Sequence, residues 1–150
     1  MFQFKILHNI LPTNLHLHRM NLRDSIKCPI CPDCIQSTEH MFITCSFARE
    51  FWSMLRNWNA SESSLQSLSK VEILYGIICD GKIELTLNHI ILIAKYHIYC
   101  NVSSLTQTNF TSFITRLKNT IDIEKYIAYT SHTEEIFNTK WGNILALMDN

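Results

Sequence analysis

The stretch from Cys28 to Cys45 reads CPICPDCIQSTEHMFITC and contains four of the six cysteines of the chain and one of its seven histidines. Zinc in structural sites prefers four thiolate or imidazole ligands in a tetrahedral arrangement. The CPIC turn can supply two thiolates, from Cys28 and Cys31. His40 and Cys45 can supply the second pair if the following segment folds back. The spacing therefore predicts a zinc site of the form C-x2-C-x8-H-x4-C.

A complete set of four protein ligands is typical of a structural zinc ion. Catalytic zinc keeps one position open for water or substrate. The sequence also lacks a glycine-rich phosphate loop, since it has only three glycines, and it shows no nucleophile paired with a base. We therefore expect one structural Zn²⁺, no catalytic residues and no enzymatic activity of the chain by itself.

Cys34 offers an alternative to this ligand set, because Cys31 and Cys34 have the same spacing as Cys28 and Cys31. That choice would leave only five residues before His40 and would leave Cys28 without a role. The sequence favours Cys28 with Cys31, and Cys34 is then a bystander thiol. The alternative for the whole cluster is a group of ordinary reduced thiols packed beside a histidine.

Four other histidines are weaker candidates for functional residues. His16 and His18 lie in a basic stretch and could meet phosphate, but a solvated helix face is the simpler interpretation. His89 and His97 lie on an apolar segment with cysteines nearby. We interpret them as core or boundary residues rather than as a second metal site.

The apolar periodicity predicts the elements that position the zinc ligands. Residues 2–11 and 14–22 predict two short helices, with Thr13 or Asn14 as the cap of the second. A helical turn over residues 37–44 would carry His40. An amphipathic helix over residues 47–58, capped by Ser46, would follow directly after the last ligand.

Helical patterns continue after the zinc ligands. The serine-rich residues 59–69 are interpreted as a linker. A turn at Asp80-Gly81 precedes helices over about 83–100 and 108–129. Ser131-x-x-Glu134 resembles a capping box that opens a last helix. The tryptophans lie on helical apolar stripes and are interpreted as core anchors rather than platforms for base stacking: Trp52, Trp58 and Trp141.

Alternating strand patterns are nearly absent, so the predicted fold class is mainly α. It comprises a small zinc knuckle with short helices and a helical C-terminal bundle. We divide the chain into a zinc-binding domain over residues 1–58, a linker over 59–69 and a helical region over 70–150.

The charge of the chain gives a weak indication of its partners. The net charge is zero, whereas proteins that hold nucleic acid by electrostatics usually have a clear basic excess. Residues 1–58 nevertheless contain six basic and four acidic side chains. The four basic side chains that precede the cysteine cluster are predicted to contact phosphates along one side of the knuckle: Lys5, Arg19, Arg23 and Lys27.

The sequence also predicts the compartment. The N-terminus has no small-residue cleavage site for a secretory signal, so we expect an intracellular chain, in the nucleus or cytoplasm, and not a secreted one. Cysteines at short spacing are more often metal ligands than disulfides in a reducing compartment. The apolar run LTLNHIILIAKYHIYC contains a lysine and is shorter than the roughly twenty residues of a membrane span, so we expect no membrane anchor.

The first third of the sequence resembles the zinc-binding region that follows the reverse transcriptase domain in polyproteins of non-LTR (LINE-type) retrotransposons. The resemblance rests on Leu11-Pro12, the CPIC knuckle, Glu39-His40, Cys45 and Phe51-Trp52, and it covers about residues 2 to 58. Cys34 departs from the pattern as an extra thiol in the loop. The resemblance implies that the polymerase and endonuclease portions of such an element lie outside this chain.

The resemblance implies a module that helps a polyprotein to hold template RNA or target DNA. With so few basic residues, binding would be weak, and a polymerase domain would have to supply the rest. The alternative is a zinc-stabilised structural element that docks on a protein partner and does not bind nucleic acid. A contiguous basic face would favour the first function, and an exposed apolar patch would favour the second.

Overall fold

The structure is a computed structural model that describes residues 1–78, 82–105 and 109–148. The named elements in these ranges are all helical, which confirms the predicted mainly α fold class. A π-helical turn, His40–Thr44, lies between the second and third α-helices. In chain order the α-helices are α1 (Phe2–Leu7), α2 (Asn14–Arg19), α3 (Ser46–Trp58), α4 (Ser63–Gln66), α5 (Lys70–Tyr75), α6 (Lys82–Ser104), α7 (Phe110–Thr130) and α8 (Glu134–Met148).

The first two helices are shorter than the apolar pattern predicted. After α1, Asn9 adopts a left-handed conformation with φ 52°, and after α2, Asn21 does the same with φ 55°. Asparagine tolerates this conformation, which ends a helix. Thr13 caps α2 as predicted, because its hydroxyl accepts a hydrogen bond from the His16 backbone N–H at 3.2 Å.

Helix α3 begins one residue earlier than predicted, and Ser46 is not its cap. Cys45 occupies the N-cap position, and Ser46 is the first helical residue. The Ser46 side chain instead lies beside the sulfur of Cys31, with Oγ and Sγ 3.3 Å apart. The predicted cap is wrong because this hydroxyl contacts a cysteine from the preceding knuckle rather than the end of its own helix.

Helix α3 packs directly on the helices of the C-terminal half. The Phe51 ring lies 5.1 Å from the Phe113 ring on α7 and 5.3 Å from the His97 ring on α6, centroid to centroid. Residues 59–69, predicted as a linker, contain α4, and Leu65 is fully buried in the same core. The division into two domains and a linker stays a prediction.

A capping box opens α5 at a position that the sequence interpretation missed. The Ser69 hydroxyl accepts from the Glu72 backbone N–H, and the Glu72 carboxylate accepts from the Ser69 N–H at 2.8 Å. The helix ends at Gly76, which has a φ of 98°. The pattern Ser-x-x-Glu is present in the sequence, but it lies at the edge of the serine-rich stretch that predicts a linker.

The three long helices α6, α7 and α8 form the predicted C-terminal bundle. Helix α7 is capped by Asn109, whose side chain accepts from the Ser112 backbone N–H. Ser131 ends α7, so it does not open α8, and the predicted capping box with Glu134 is wrong. The predicted turn at Asp80-Gly81 lies outside the described residues. In the ranges that are described, no helix has both the length and the hydropathy needed to cross a bilayer.

Buried tryptophans and one buried lysine join the N-terminal and C-terminal halves of the molecule. Trp52 and Trp141 are buried, and Trp58 packs against the core, which confirms their predicted role as core anchors. Lys95 on α6 is also buried, and its ammonium donates to the Gln3 side chain at 2.6 Å and to the Leu74 carbonyl at 3.0 Å. These bonds connect α6 with α1 and α5, and burial lowers the pKa of Lys95 to about 8.

Candidate metal centre

The four predicted zinc ligands meet in one place. The ligand atoms of Cys28, Cys31, His40 and Cys45 all lie within 4.8 Å of one another. The Cys45 sulfur lies 3.9 Å from the Cys28 sulfur and 3.9 Å from the Cys31 sulfur. Sulfurs bound to zinc at about 2.3 Å in a tetrahedron would be about 3.8 Å apart. The spacing between the side chains therefore suits a single zinc ion.

The knuckle with Cys28 and Cys31 lies at the tip of a very short antiparallel bridge. Lys27 pairs with Ile35 at its base. The Cys28 N–H donates to the Cys34 carbonyl at 2.8 Å, and the Cys34 N–H donates to the Cys31 carbonyl at 2.9 Å. Cys34 thus closes the turn through its backbone, while its side chain is exposed and lies outside the ligand group.

Two buried amide side chains fix the knuckle to the start of α2. The Asn14 side chain donates to the Lys27 carbonyl at 2.6 Å, and the Gln36 side-chain oxygen accepts from the Asn14 backbone N–H at 2.8 Å. The sequence interpretation missed both roles. The sequence indicates Asn14 only as a helix cap, and no local pattern marks Gln36, because its partner is 22 residues away.

The second pair of ligands flanks the π-helical turn. The Cys45 N–H donates to the His40 carbonyl at 2.8 Å, which closes a wide turn around residues 41–44. The Ser37 hydroxyl accepts from the His40 N–H at 3.0 Å and so holds the start of the predicted turn. The wide turn brings the buried side chains of His40 and Cys45 to the same point.

The His40 ring is oriented for metal binding through Nε2. Its Nδ1 atom lies 3.0 Å from the Thr44 hydroxyl oxygen, while its Nε2 atom is buried and has no hydrogen-bond partner among the described residues. A buried polar atom of this kind is rare unless a ligand or water completes it. Burial lowers the pKa of His40 and favours the neutral ring that can bind a metal. The residues present therefore fit zinc.

The thiols differ in how readily they ionise without metal. Burial is the largest cause acting on Cys45, and it raises the pKa of this thiol to about 12, although the backbone N–H groups of Phe47 and Ala48 lower it. Burial also raises the pKa of Cys31, but hydrogen bonds with Ser46, Cys45 and Cys28 together outweigh it, so that this pKa is lowered. Because zinc binds thiolates, its uptake must displace protons from this cluster.

Helix α3 holds the turn that carries His40 and Cys45 through a hydrogen bond from Trp52. The indole N–H of Trp52 donates to the Phe42 carbonyl at 2.8 Å, in the middle of the π-helical turn. Phe42 and Trp52 are both buried, so this bond forms inside the core. The aromatic residues after Cys45 thus attach the ligand-bearing turn to the main hydrophobic core.

Three of the four basic residues predicted to contact phosphate lie on one segment. Arg19 ends α2, and Arg23 and Lys27 follow on the chain that leads to the knuckle, where all three side chains are exposed. Lys5 lies separately on α1 and is half-buried. None of the four forms an ion pair within the described part of the chain.

The remaining histidine candidates do not form a second metal group. The His18 ring bonds the Arg23 carbonyl at 2.9 Å, and the His89 ring lies 2.9 Å from the Lys140 ammonium and 3.2 Å from a carboxylate oxygen of Glu124. His97 is buried against aromatic rings. Where residues are described, the group around Cys28 is the one cluster of histidine, cysteine or carboxylate ligands close enough to hold a metal.

Comparison with known proteins agrees with the geometry of this site. Residues 1–52 match the family model described as zinc-binding in reverse transcriptase. Neither a curated protein nor a solved structure matches the chain. The matched range is a zinc-binding region and includes all four converging side chains, whose arrangement fits a single zinc ion. The resemblance to the zinc-binding region of reverse transcriptase polyproteins is therefore confirmed for residues 1–52.

Proposed function

We propose that this chain is a zinc-stabilised module that binds the phosphate backbone of RNA or DNA and has no polymerase or other enzymatic activity of its own. The observation that carries the proposal is the exposure of Arg19, Arg23 and Lys27 on the segment that enters the zinc knuckle. The Asn14 side chain fixes this segment at the Lys27 carbonyl, so zinc and α2 together hold it in place.

The charge of the segment determines what kind of binding is expected. Exposed arginine and lysine side chains contact phosphate oxygens without reading the sequence, and each contact releases counterions. With three such residues and a chain of zero net charge, affinity by itself should be low and strongly salt-dependent. In a reverse transcriptase polyprotein, a polymerase domain would supply the further contacts. We propose that the chain acts inside the cell, in the nucleus or cytoplasm.

A salt titration with two matched double variants tests this function. Binding of single-stranded RNA and of duplex DNA to the zinc-loaded chain is measured by fluorescence anisotropy at several salt concentrations. Arg19→Gln with Arg23→Gln removes two charges beside the knuckle, and Lys118→Gln with Lys125→Gln removes two exposed charges from α7. The first variant should bind more weakly, with a salt slope lower by about 2, while the second should bind like the wild type.

Two results would contradict nucleic-acid binding by this segment. One is the absence of any salt-sensitive binding by the zinc-loaded chain, and the other is equal binding by the two double variants. Either result would favour the second candidate, in which the chain docks on a protein.

The docking function has an observation of its own. Ile123, Tyr126 and Ile127 recur at helical spacing on α7 and are 53% to 70% exposed, and Ile136 on α8 is 68% exposed. Ile127 and Ile136 line the same shallow cleft. Such a patch is typical of an interaction surface. Sedimentation with a purified polymerase domain of a non-LTR retrotransposon would test it, with loss of co-sedimentation in Ile127→Asp as the expected result.

A further inference from the structure

The loop of the zinc knuckle contains a pair of cysteines, Cys31 and Cys34, of which only the first belongs to the ligand group. Both reach solvent, since Cys31 is half-buried and Cys34 is exposed. The other two cysteines of the ligand group, Cys28 and Cys45, are buried, with exposed fractions of 1% and 0%. Among the three ligand sulfurs, that of Cys31 is therefore the one most accessible to a small dissolved reactant.

A tight turn holds these two cysteines close together. The Cys34 N–H donates to the Cys31 carbonyl at 2.9 Å, and Pro32 occupies the second position of this four-residue turn, which proline favours. Such a turn brings its first and fourth Cα atoms to within about 7 Å. Disulfides usually join cysteines whose Cα atoms are about 4.4–6.8 Å apart. Because the Cys34 side chain is exposed, it can rotate toward Cys31 and form a disulfide within the turn.

Cys28 is the other cysteine that lies close to Cys34 along the backbone. Its N–H donates to the Cys34 carbonyl at 2.8 Å. The Cys28 sulfur, however, is buried and lies 3.9 Å from the Cys45 sulfur. The Cys31 sulfur lies at the outer side of the group, where it accepts from the Ser46 N–H at 3.5 Å. A reaction with a dissolved oxidant should therefore begin at Cys31, since access to the sulfur controls the reactivity of a thiolate.

We propose that Cys31 and Cys34 form a redox-sensitive pair, in which a peroxide oxidises Cys31 and Cys34 then closes a disulfide with it. In the first step the Cys31 thiolate attacks one oxygen of hydrogen peroxide, the O–O bond breaks, and hydroxide leaves a sulfenic acid on Cys31. In the second step the Cys34 thiol attacks that sulfur, so that the S–S bond forms, the S–O bond breaks and water leaves. The two sulfurs lose two electrons in total, and the peroxide is reduced to one hydroxide and one water.

The disulfide removes one ligand from the zinc site, because only a thiolate sulfur binds the metal. Cys28, His40 and Cys45 are then the three side chains left in the group. Zinc binding weakens, and with it the folding free energy that the metal contributes. Oxidation therefore releases zinc and loosens the knuckle, and reduction of the disulfide restores the site. This redox pair is independent of the proposed nucleic-acid function and uses different residues.

Treatment of the zinc-loaded chain with hydrogen peroxide tests this pair. A chromophoric chelator reports released zinc, and tandem mass spectrometry after alkylation of the free thiols locates the oxidised residues. The wild type should release zinc as it loses two hydrogen masses, with the disulfide mapped to Cys31 and Cys34. A thiol reductant with added zinc should restore most of the bound zinc. Cys100→Ser removes a half-buried cysteine of α6 outside the ligand group and should behave like the wild type.

Cys34→Ser separates the two steps, and it should fold normally because the side chain is exposed. Its rate of peroxide consumption should stay within about twofold of the wild type, since Cys31 still performs the first step. Without Cys34, the sulfenic acid persists for trapping by dimedone or oxidises to sulfinic acid, so reduction should restore less than about half of the zinc. Full zinc recovery in Cys34→Ser, a dimedone adduct on Cys28 or Cys45, or a wild-type disulfide between any other pair would each overturn the proposal.

Discussion

The Nδ1 atom of His40 lies 3.0 Å from the hydroxyl oxygen of Thr44, four residues further along the π-helical turn. When Nδ1–H donates to this oxygen, the proton is on Nδ1 and the lone pair on Nε2 faces the cysteine sulfurs. A hydrogen bond to the second ring nitrogen typically fixes both the tautomer and the orientation of a metal-binding histidine. Thr44 is thus a positioning residue for the zinc site.

Thr44→Val should weaken zinc binding without unfolding the chain. It keeps the shape of the side chain and removes the hydroxyl that orients His40, and loss of such a partner typically costs about 10- to 100-fold in metal affinity. Competition with a chromophoric chelator measures the affinity. Thr38→Val is the matched control, because the Thr38 hydroxyl bonds the Asn9 side chain and no zinc ligand. Equal affinities of the two variants would contradict the role of Thr44.

His97 should make the fold sensitive to acid. Burial and the charge of Arg116 lower its pKa to about 4 in the folded chain, against an ordinary value of 6.5. Below pH 6.5 the unfolded chain therefore binds a proton that the folded chain excludes until about pH 4. The free energy of unfolding should fall by about 2 kcal/mol between about pH 7 and pH 5 from this residue.

Urea unfolding of the wild type and His97→Gln at pH 7 and pH 5 measures this contribution. Zinc release on acidification affects both chains, so the difference between them reports His97. The variant should lose less stability over this interval than the wild type. Parallel losses in the two chains would show that His97 does not contribute to acid sensitivity.

The two described glycines should respond in opposite directions to alanine. Gly76 has a φ of 98°, and an added Cβ would lie 3.0 Å from the side-chain oxygen of Asn88. That oxygen accepts from the Ile77 N–H at 2.7 Å, so Asn88 cannot move without losing this bond. Gly76→Ala should lower the free energy of unfolding by on the order of 1–2 kcal/mol.

Gly142 is the control position for the substitution at Gly76. It lies inside α8, and an added Cβ would meet nothing within 4 Å. Gly142→Ala should raise the free energy of unfolding by up to about 1 kcal/mol, since alanine is favoured over glycine in a helix. Thermal unfolding of both variants checks the pair, and a stabilised Gly76→Ala would refute the strain assigned to that position.

The sequence was most informative where contacts are local. The knuckle, the cap at Thr13 and the turn at Ser37 depend on residues a few positions apart, and the structure forms all of them. The contacts of Gln36 with Asn14 and of Phe51 with Phe113 join distant segments, so no periodicity could reveal them. These long-range contacts decide how the zinc region is attached to the rest of the molecule.

The helix boundaries show a different limit of sequence interpretation. Ser69-x-x-Glu72 and Ser131-x-x-Glu134 have the same pattern, yet only the first forms a capping box. Helix α7 continues to Thr130, and Ser131 is its C-cap, because the Ser131 N–H still donates to the Ile127 carbonyl of that helix. A short polar pattern therefore fits either the end of one helix or the start of the next, and packing decides between them.

The zinc content of purified variants tests the central claim most directly. Metal analysis should find one zinc ion per chain in the wild type and in Cys34→Ser, because the Cys34 side chain is exposed and lies outside the ligand group. Cys28→Ser and Cys45→Ser should lose the zinc and unfold residues 1–58, since metal binding contributes folding free energy on the order of 10 kcal/mol in small zinc modules. A wild-type chain without zinc, or loss of zinc in Cys34→Ser, would contradict this account of the site.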